Sequence, residues 1–215
     1  DKEEFDGNKM KEMMVGREVS GNYYRNDNDS YEDEITLKAH CITTRKDLLC
    51  FNLELHKGEV LGIGGLSECG MHTVGKALFG YEKILDGKVT VGAKQTVVKN
   101  PETAIANGIA YTSKDRDHES LGLAGSIRDN IASTGYYFNR IFGPIISFGK
   151  EKKFVQNQID TLELKCASQY HSVNTLSGGN KQKVVFGKWI GSEADVLILD
   201  CPTRGIDIGV KASMY

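Results

Sequence analysis

Apolar positions divide the chain into segments of different period. Between Ile35 and Leu55 they alternate in places (Ile35, Leu37, Ala39; Phe51, Leu53, Leu55), the pattern of antiparallel strands with one wet face. Lys57-Gly58-Glu59 reads as a turn into a strand over Val60-Leu61-Gly62-Ile63-Gly64, followed by a helix through Val74, Ala77, Leu78 and Phe79 to a stop at Gly80. Asp86-Gly87-Lys88 predicts a turn between short strands. Asn100-Pro101-Glu102 opens a helix with an N-cap and a first-turn proline, and Ile105, Ala106 and Ile109 give it a buried side. Ser126-Ile127-Arg128-Asp129 fits a capped helix start, and Phe154, Val155, Ile159, Leu162 and Leu164 recur at roughly helical spacing within 151–164. A last helix carries Val184, Val185, Trp189 and Ile190, and the wholly apolar run Val196 to Leu199, bounded by Asp200 and Pro202, reads as a buried parallel strand.

Two segments look different. Residues 1–19 place Phe5, Met10, Met13, Met14 and Val15 partly at helical spacing before Gly16-Arg17, and residues 20–34 are polar and acidic with only Tyr23, Tyr24 and Tyr31 as apolar handles. The second of these reads as a linker, because it cannot bury enough surface to fold alone. The run Ile141-Phe142-Gly143-Pro144-Ile145-Ile146-Ser147-Phe148 is short and strongly apolar, and suits either core or a docking patch.

A length of 215 residues suits one large domain, or one domain with an appended subdomain. The net charge of −2 provides no bulk attraction to nucleic acid. No apolar run approaches a membrane span, and the acidic opening Asp1-Lys2-Glu3-Glu4 is unlike a signal peptide, so a cytoplasmic setting is expected, with any membrane association through a partner. Cys41, Cys50, Cys69, Cys166 and Cys201 lack C-x-x-C spacing, and the five histidines show no metal spacing; reduced thiols and no zinc site are expected. The chain opens on a residue other than Met and ends in what reads as a helix cut short, the pattern of an excerpt from a longer protein.

The chemistry concentrates in two neighbouring stretches. In Leu176-Ser177-Gly178-Gly179-Asn180-Lys181-Gln182-Lys183 a hydroxyl and two glycines precede a helix, which sets backbone N–H groups and a positive dipole end toward an anion such as phosphate. Asp200 falls at the carboxyl end of the apolar strand, where α/β sheets bind ligands and an aspartate can hold Mg²⁺. Gly65-Leu66-Ser67-Glu68-Cys69-Gly70-Met71-His72-Thr73 occupies the place of a phosphate-binding G-x-x-x-x-G-K-[ST] loop. Its glycine frame could still form an anion nest.

Taken in order, Ser177-Gly178-Gly179, the strand ending in Asp200 and Pro202-Thr203-Arg204-Gly205-Ile206-Asp207 resemble the LSGGQ-type signature, the Walker B strand and the D-loop of the ATP-binding cassette (ABC) family. The wording is similar to the ATPase subunits of bacterial sugar importers, in particular the second of two fused cassettes. The resemblance covers about residues 35–215, and Met13-Met14-Val15-Gly16-Arg17 resembles the end of a preceding cassette, with residues 1–34 as its end and linker. It implies an α/β P-loop NTPase fold of the ABC type, with a parallel-sheet core, an antiparallel β subdomain and a helical subdomain over about 115–175. It also implies ATP and Mg²⁺ as cofactors. The partners it implies are the first cassette of the same chain or a second ABC subunit, membrane permease subunits and, indirectly, a sugar-binding protein, with the protein peripheral on the inner face of the cell membrane. A soluble cassette protein regulating by nucleotide binding, or associated with translation, is the alternative.

Family positions map onto Gly65, Ser67, Gly70, Met71, His72, Thr73, Ser177, Gly178, Gly179 and Asp207 for nucleotide, and onto Asp200 for the metal. Four positions depart from the family pattern. Met71 stands where a lysine reaches the phosphates and His72 where a hydroxyl ligates Mg²⁺; Lys114 stands at the Q-loop position, where an ammonium offers no oxygen ligand; Cys201 stands where a catalytic glutamate orients water. The first strand has no aromatic to stack on adenine, its neighbourhood being His40-Cys41-Ile42-Thr43, and the family's switch histidine has no counterpart in this sequence. Family cassettes act as head-to-tail pairs, each ATP lying between the Walker loops of one and the signature of the other. The resemblance therefore implies a chain whose own site is depleted and whose signature serves its partner.

Overall fold

The structure is a computed structural model, and it describes residues 30–66, 68–138, 147–192 and 194–206. The helix read over 1–19, most of the linker, Ser67, the 141–146 apolar run, Asp207 and the final helix lie outside the described residues.

An antiparallel sheet in the order β2-β1-β3-β4 is built from β1 (Ile35–Thr44), β2 (Phe51–His56), β3 (Ile84–Val91) and β4 (Thr96–Val97). Alternation decides the faces of β1, where Leu37, Ala39 and Ile42 are buried and the residues flanking them are more exposed; in β3, Val89, Thr90 and Val91 are buried in succession. Asp86-Gly87 is not a turn. It lies inside β3, opposite a bulge in β1: three steps along β1 from His40 to Thr43 match two along β3 from Lys88 to Asp86, so Cys41 and Ile42 together face Gly87. Gly87 takes φ +80°, and a Cβ there would stand 2.4 Å from the His40 carbonyl oxygen, so only glycine fits. The reduced-thiol expectation fails at the same bulge: Cys41, within β1, and Cys50, just before β2, form a disulfide, while Cys69, Cys166 and Cys201 are free. Hairpin register, which sequence spacing does not encode, brings these two together.

The second sheet pairs β5 (Ile109–Thr112) with β6 (Val196–Leu199) in parallel, Thr112 opposite Leu199. Helix α1 (Met71–Leu78) lies against it: a Cβ on Gly75 would stand 3.3 Å from the Tyr111 ring and 3.5 Å from Ile198. The strand expected over Val60–Gly64 is absent. Val60 is 93% exposed, and the segment lines a cavity of 960 Å³ with Leu197, Leu199 and Asp200. Gly62, Gly64 and Gly65 make extension entropically costly there, and no ladder bonds tie the segment to β6.

Helix α2 (Pro101–Ala106) starts where its cap predicts, Asn100 Oδ1 accepting from the Thr103 N–H at 2.8 Å. Helices α3 (Ile127–Phe138), α4 (Phe148–Thr161) and α5 (Gly178–Ile190) pack together. The Ser126 hydroxyl donates to Asp129 Oδ2 at 2.6 Å and accepts from the Asp129 N–H at 3.0 Å, closing the start of α3. Inside this group, wholly buried Glu151 accepts from Arg128, whose guanidinium lies over the rings of Phe148 and Tyr170. Val155 on α4, Ile127 and Ile131 on α3, and Val184 and Val185 on α5 join the same core as Ile109 and Ala110 of β5. The end of β6 and the starts of α1 and α5 thereby hang from one packed framework. No helix among the described residues is long and apolar enough to cross a membrane.

Candidate functional site

Strand β6 delivers Asp200 to its carboxyl end, and the Asp200 N–H donates to the Thr112 carbonyl at 3.0 Å, extending the ladder by one residue. The side chain points into the fold and is only 8% exposed. Its Oδ1 lies 2.6 Å from His72 Nδ1 and its Oδ2 accepts from the Tyr111 hydroxyl at 3.2 Å. His72 Nε2 in turn lies 3.1 Å from Lys114 Nζ. An ammonium can only donate and a carboxylate can only accept, so the ring proton sits on Nδ1 and is given to Asp200. Burial, then the adjacent Asp200 carboxylate, hold the Tyr111 phenol above its ordinary value, which keeps it a hydrogen-bond donor.

The other half of this cluster comes from α1. Gly70 caps it with φ +88°, which lets the chain turn sharply into the helix, and no side chain caps its first N–H groups. Gly65 is exposed in the irregular segment before it. Met71, His72 and Thr73 form the first turn, half-buried. Thr73 donates to Asp47 Oδ2 at 2.6 Å, so a carboxylate from the β1–β2 connection stands at the helix start. Lys76 donates to Glu119 at 2.7 Å and so makes no substitute for the missing lysine. Cys201 follows Asp200 with φ +50°, a left-handed turn after the strand, and is exposed.

Mg²⁺ prefers an octahedral array of oxygens. Here a nitrogen stands at the helix-start position, a sulfur follows Asp200, Lys114 offers only donors, and the remaining carboxylate already holds an imidazole and a phenol. This donor set does not fit Mg²⁺.

The signature region is built differently. Ser177 is the N-cap of α5, exposed, and its Oγ accepts from the Asn180 N–H at 3.5 Å and the Asn180 side chain at 3.1 Å. Gly178 is half-buried and Gly179 buried. A Cβ on Gly178 would come within 2.9 Å of the Arg116 guanidinium and 3.2 Å of the Gly205 carbonyl, so a side chain there would displace the loop after β6. Arg116 also donates to the Arg204 carbonyl at 3.0 Å, joining the start of α5 to the Pro202–Gly205 turn. The first turn of α5 carries no acidic residue to compete for an anion.

Tyr111, Asp47 and Arg116 escaped the sequence reading. Tyr111 lies on β5, where an all-apolar strand interior is the ordinary expectation; only its position opposite Ile198, two residues before Asp200, marks it. Nothing local in sequence singles out Asp47 or Arg116.

The family model described as ABC transporter matches residues 48–204. Among curated proteins, the chain is 36% identical over 203 residues to the ribose import ATP-binding protein RbsA of Shouchella clausii, covering 94% of this chain and 40% of that protein. It is 35% identical over 214 residues to the protein of the same name from Bacillus subtilis, covering 99% and 42%. The chain thus spans about two-fifths of the length of these relatives. Among solved structures, the fold resembles the ATP-binding cassette MJ0796 in a dimeric post-hydrolysis state bound to ADP and Pi, with a TM-score of 0.72, 18% identity, and 83% and 79% of the two chains covered. It also resembles cbiO1 from Clostridium perfringens, part of the ABC transporter complex cbiONQ, with a TM-score of 0.65, 20% identity, and 85% and 72% covered. With a cap-and-glycine start to α5, an aspartate ending β6 and a family match over most of its length, this chain belongs to the ABC transporter family, as an ATP-binding cassette.

Proposed function

We propose that this chain is the nucleotide-binding half of a carbohydrate importer, taking ribose or a related sugar, that lends its signature to a partner cassette while its own Walker site hydrolyses little ATP. The relatives' names supply the transport class. The single observation that carries the division of labour is a contrast: Asp200 is paired with His72, which Lys114 backs, whereas Ser177 caps α5 in the open.

In this reading the partner is the first cassette of a longer chain or a second ABC subunit. The pair sits on the inner face of the membrane through a permease fed by a sugar-binding protein. Residues 35–215 form the cassette, with a helical subdomain over about 115–175, after a linker that ends near residue 34. Ser177, Gly178 and Gly179 clamp the terminal phosphate of ATP held by the partner, with Asp207, at the family's D-loop position, serving the same interface. At the chain's own site, Met71 supplies no charge to phosphate, Lys114 is engaged with His72, and Cys201 is a poor base for water. Losing such a base slows a reaction by about 10²–10⁴.

Ser177→Arg in the whole protein that carries this chain tests the proposal, since it fills the clamp without touching Asp200. Turnover is expected to fall at least about 10²-fold, the scale of losing preorganised donors to a transferring group. Undiminished ATP turnover would overturn it.

A further inference from the structure

His72 meets the consecutive pair Asp200 and Cys201, 128 residues further along the chain, where Mg²⁺ does not fit. His72, Asp200 and Cys201 each offer one donor atom, and the three donors lie within 4.8 Å of one another. A tetrahedral ion with bonds of about 2.0–2.3 Å sets its donors about 3.3–3.8 Å apart. The cluster therefore needs changes of about an ångström to close on such an ion, with the 2.6 Å His72–Asp200 pair opening and the sulfur moving in. Imidazole nitrogen, carboxylate oxygen and thiolate sulfur in one triangle are the ligands of a borderline divalent ion, and a thiolate is a poor ligand for Mg²⁺.

We propose that His72, Asp200 and Cys201 form a three-ligand Zn²⁺ site that replaces the Mg²⁺ site of the cassette fold, the fourth position being open to water or to an added ligand. Each residue type suits its part. The Asp200 carboxylate is more than nine-tenths buried and its Oδ2 is steered by the Tyr111 hydroxyl, which leaves Oδ1 toward the ion. Cys201 is exposed, as an entry path requires, and loses its proton to solvent when the ion binds. His72 contributes Nδ1, now turned toward Asp200, once its proton is released. The ion pins the first turn of α1 to the end of β6.

Lys114 is the competitor. In the metal-free arrangement its ammonium donates to His72 Nε2 at 3.1 Å and places a positive charge beside the triangle. With the ion bound, Nε2 carries a proton and Lys114 must withdraw, which its exposed position allows. Zinc binding and the Lys114–His72–Asp200 chain are thus alternative states of one site. The inference does not depend on sugar import: it concerns only which ion these side chains hold.

The test uses the whole protein stripped with chelator and titrated with ZnCl₂ against a chromophoric zinc indicator, 5 mM MgCl₂ being added in a parallel arm. One zinc is expected that is lost on Cys201→Ser and on His72→Thr, each weakening it at least about 100-fold, and that Mg²⁺ does not displace. Tyr111→Phe, removing an outer partner, is expected to weaken it about 10-fold, and Lys114→Gln to tighten it. Co²⁺ in place of zinc is expected to give a thiolate-to-metal charge-transfer band that Cys201→Ser abolishes; circular dichroism checks that each variant is folded. Zinc uptake equal in wild type, Cys201→Ser and His72→Thr would overturn the proposal, as would displacement by Mg²⁺. The Ser177→Arg experiment reads a different site, so either result stands apart from the other.

Discussion

The pairing of His72 with Asp200 allows a quantitative test that needs no nucleotide. His72→Ala removes a 2.6 Å bond to a carboxylate that is only 8% exposed. A hydrogen bond to a charged group is worth about 1.5–3 kcal/mol, and leaving such a group unsatisfied adds to the loss. Alanine suits a helix's first turn, so propensity does not blur the measurement. Tyr111→Phe removes a longer contact, 3.2 Å, while the ring keeps its stack on Phe79 at 5.3 Å; the loss should be about 1 kcal/mol. Lys114→Ala should cost less than about 0.5 kcal/mol, because exposed ammonium groups contribute little. The assay is a urea double-mutant cycle of His72→Ala with Asp200→Ala in EDTA at pH 7. A coupling of about 1.5–3 kcal/mol is expected, and one below about 0.5 kcal/mol would mean that the two residues are not paired, sinking the account of a closed Walker site.

Arg128→Ala strands the wholly buried Glu151 carboxylate and should cost about 3–5 kcal/mol by chemical denaturation, most of it recovered in the double variant Arg128→Met/Glu151→Leu; a loss under about 1 kcal/mol would show that the pair is not formed. Burial lowers the affinity of Lys188 for its proton, so unfolding takes up a proton between the lowered and ordinary values and stability rises with pH through that window. Lys188→Met should flatten that slope in pH-dependent thermal melts and gain stability at neutral pH; an unchanged slope would contradict it. Reducing the Cys41–Cys50 bridge, which spans a sequence separation of 9, should cost about 2–3 kcal/mol, and dithiothreitol should leave the melting temperature of Cys41→Ser unmoved.

What was legible in the sequence was local. The α2 cap at Asn100, the Ser126–Asp129 box and the serine-capped start of α5 each depend on residues within a turn of one another, and each formed. The apolar run 196–199 could be read as a parallel strand because Asp200 and Pro202 bound it, but the burial expected of it fails, Leu197 and Leu199 being 41% and 44% exposed along the cavity where no ladder joins Val60–Gly64 to β6. Local reading failed where a partner decides the outcome. Asp86-Gly87 carries turn residues, yet pairing with β1 holds it in a continuous strand, with Gly87 facing the two residues of a β1 bulge. Val60–Gly64 carries strand residues, yet it joins no ladder. The disulfide and the His72–Asp200 contact, the latter spanning 128 residues, depend on register and on packing of α1 against β6, which no window of sequence contains.

That difference explains why the substitutions look like losses in sequence and like a built cluster in space. Read one at a time, Met71, His72, Lys114 and Cys201 each depart from the residue type that the family pattern has at that position. Read together, three of them do something else: Lys114 donates to His72, His72 donates to Asp200, and Cys201 faces the same carboxylate. A buried aspartate stripped of its cation would carry an unpaired charge, a state that costs several kcal/mol. Here the imidazole, backed by an ammonium, takes the place of that cation. Decay by unrelated substitutions would leave Asp200 unsatisfied, or free to change as well; instead both of its oxygens are bonded, by residues from α1 and β5. Under the zinc proposal the retained aspartate has a role that does not require hydrolysis, and a measured preference of this cluster for zinc over Mg²⁺ would establish it.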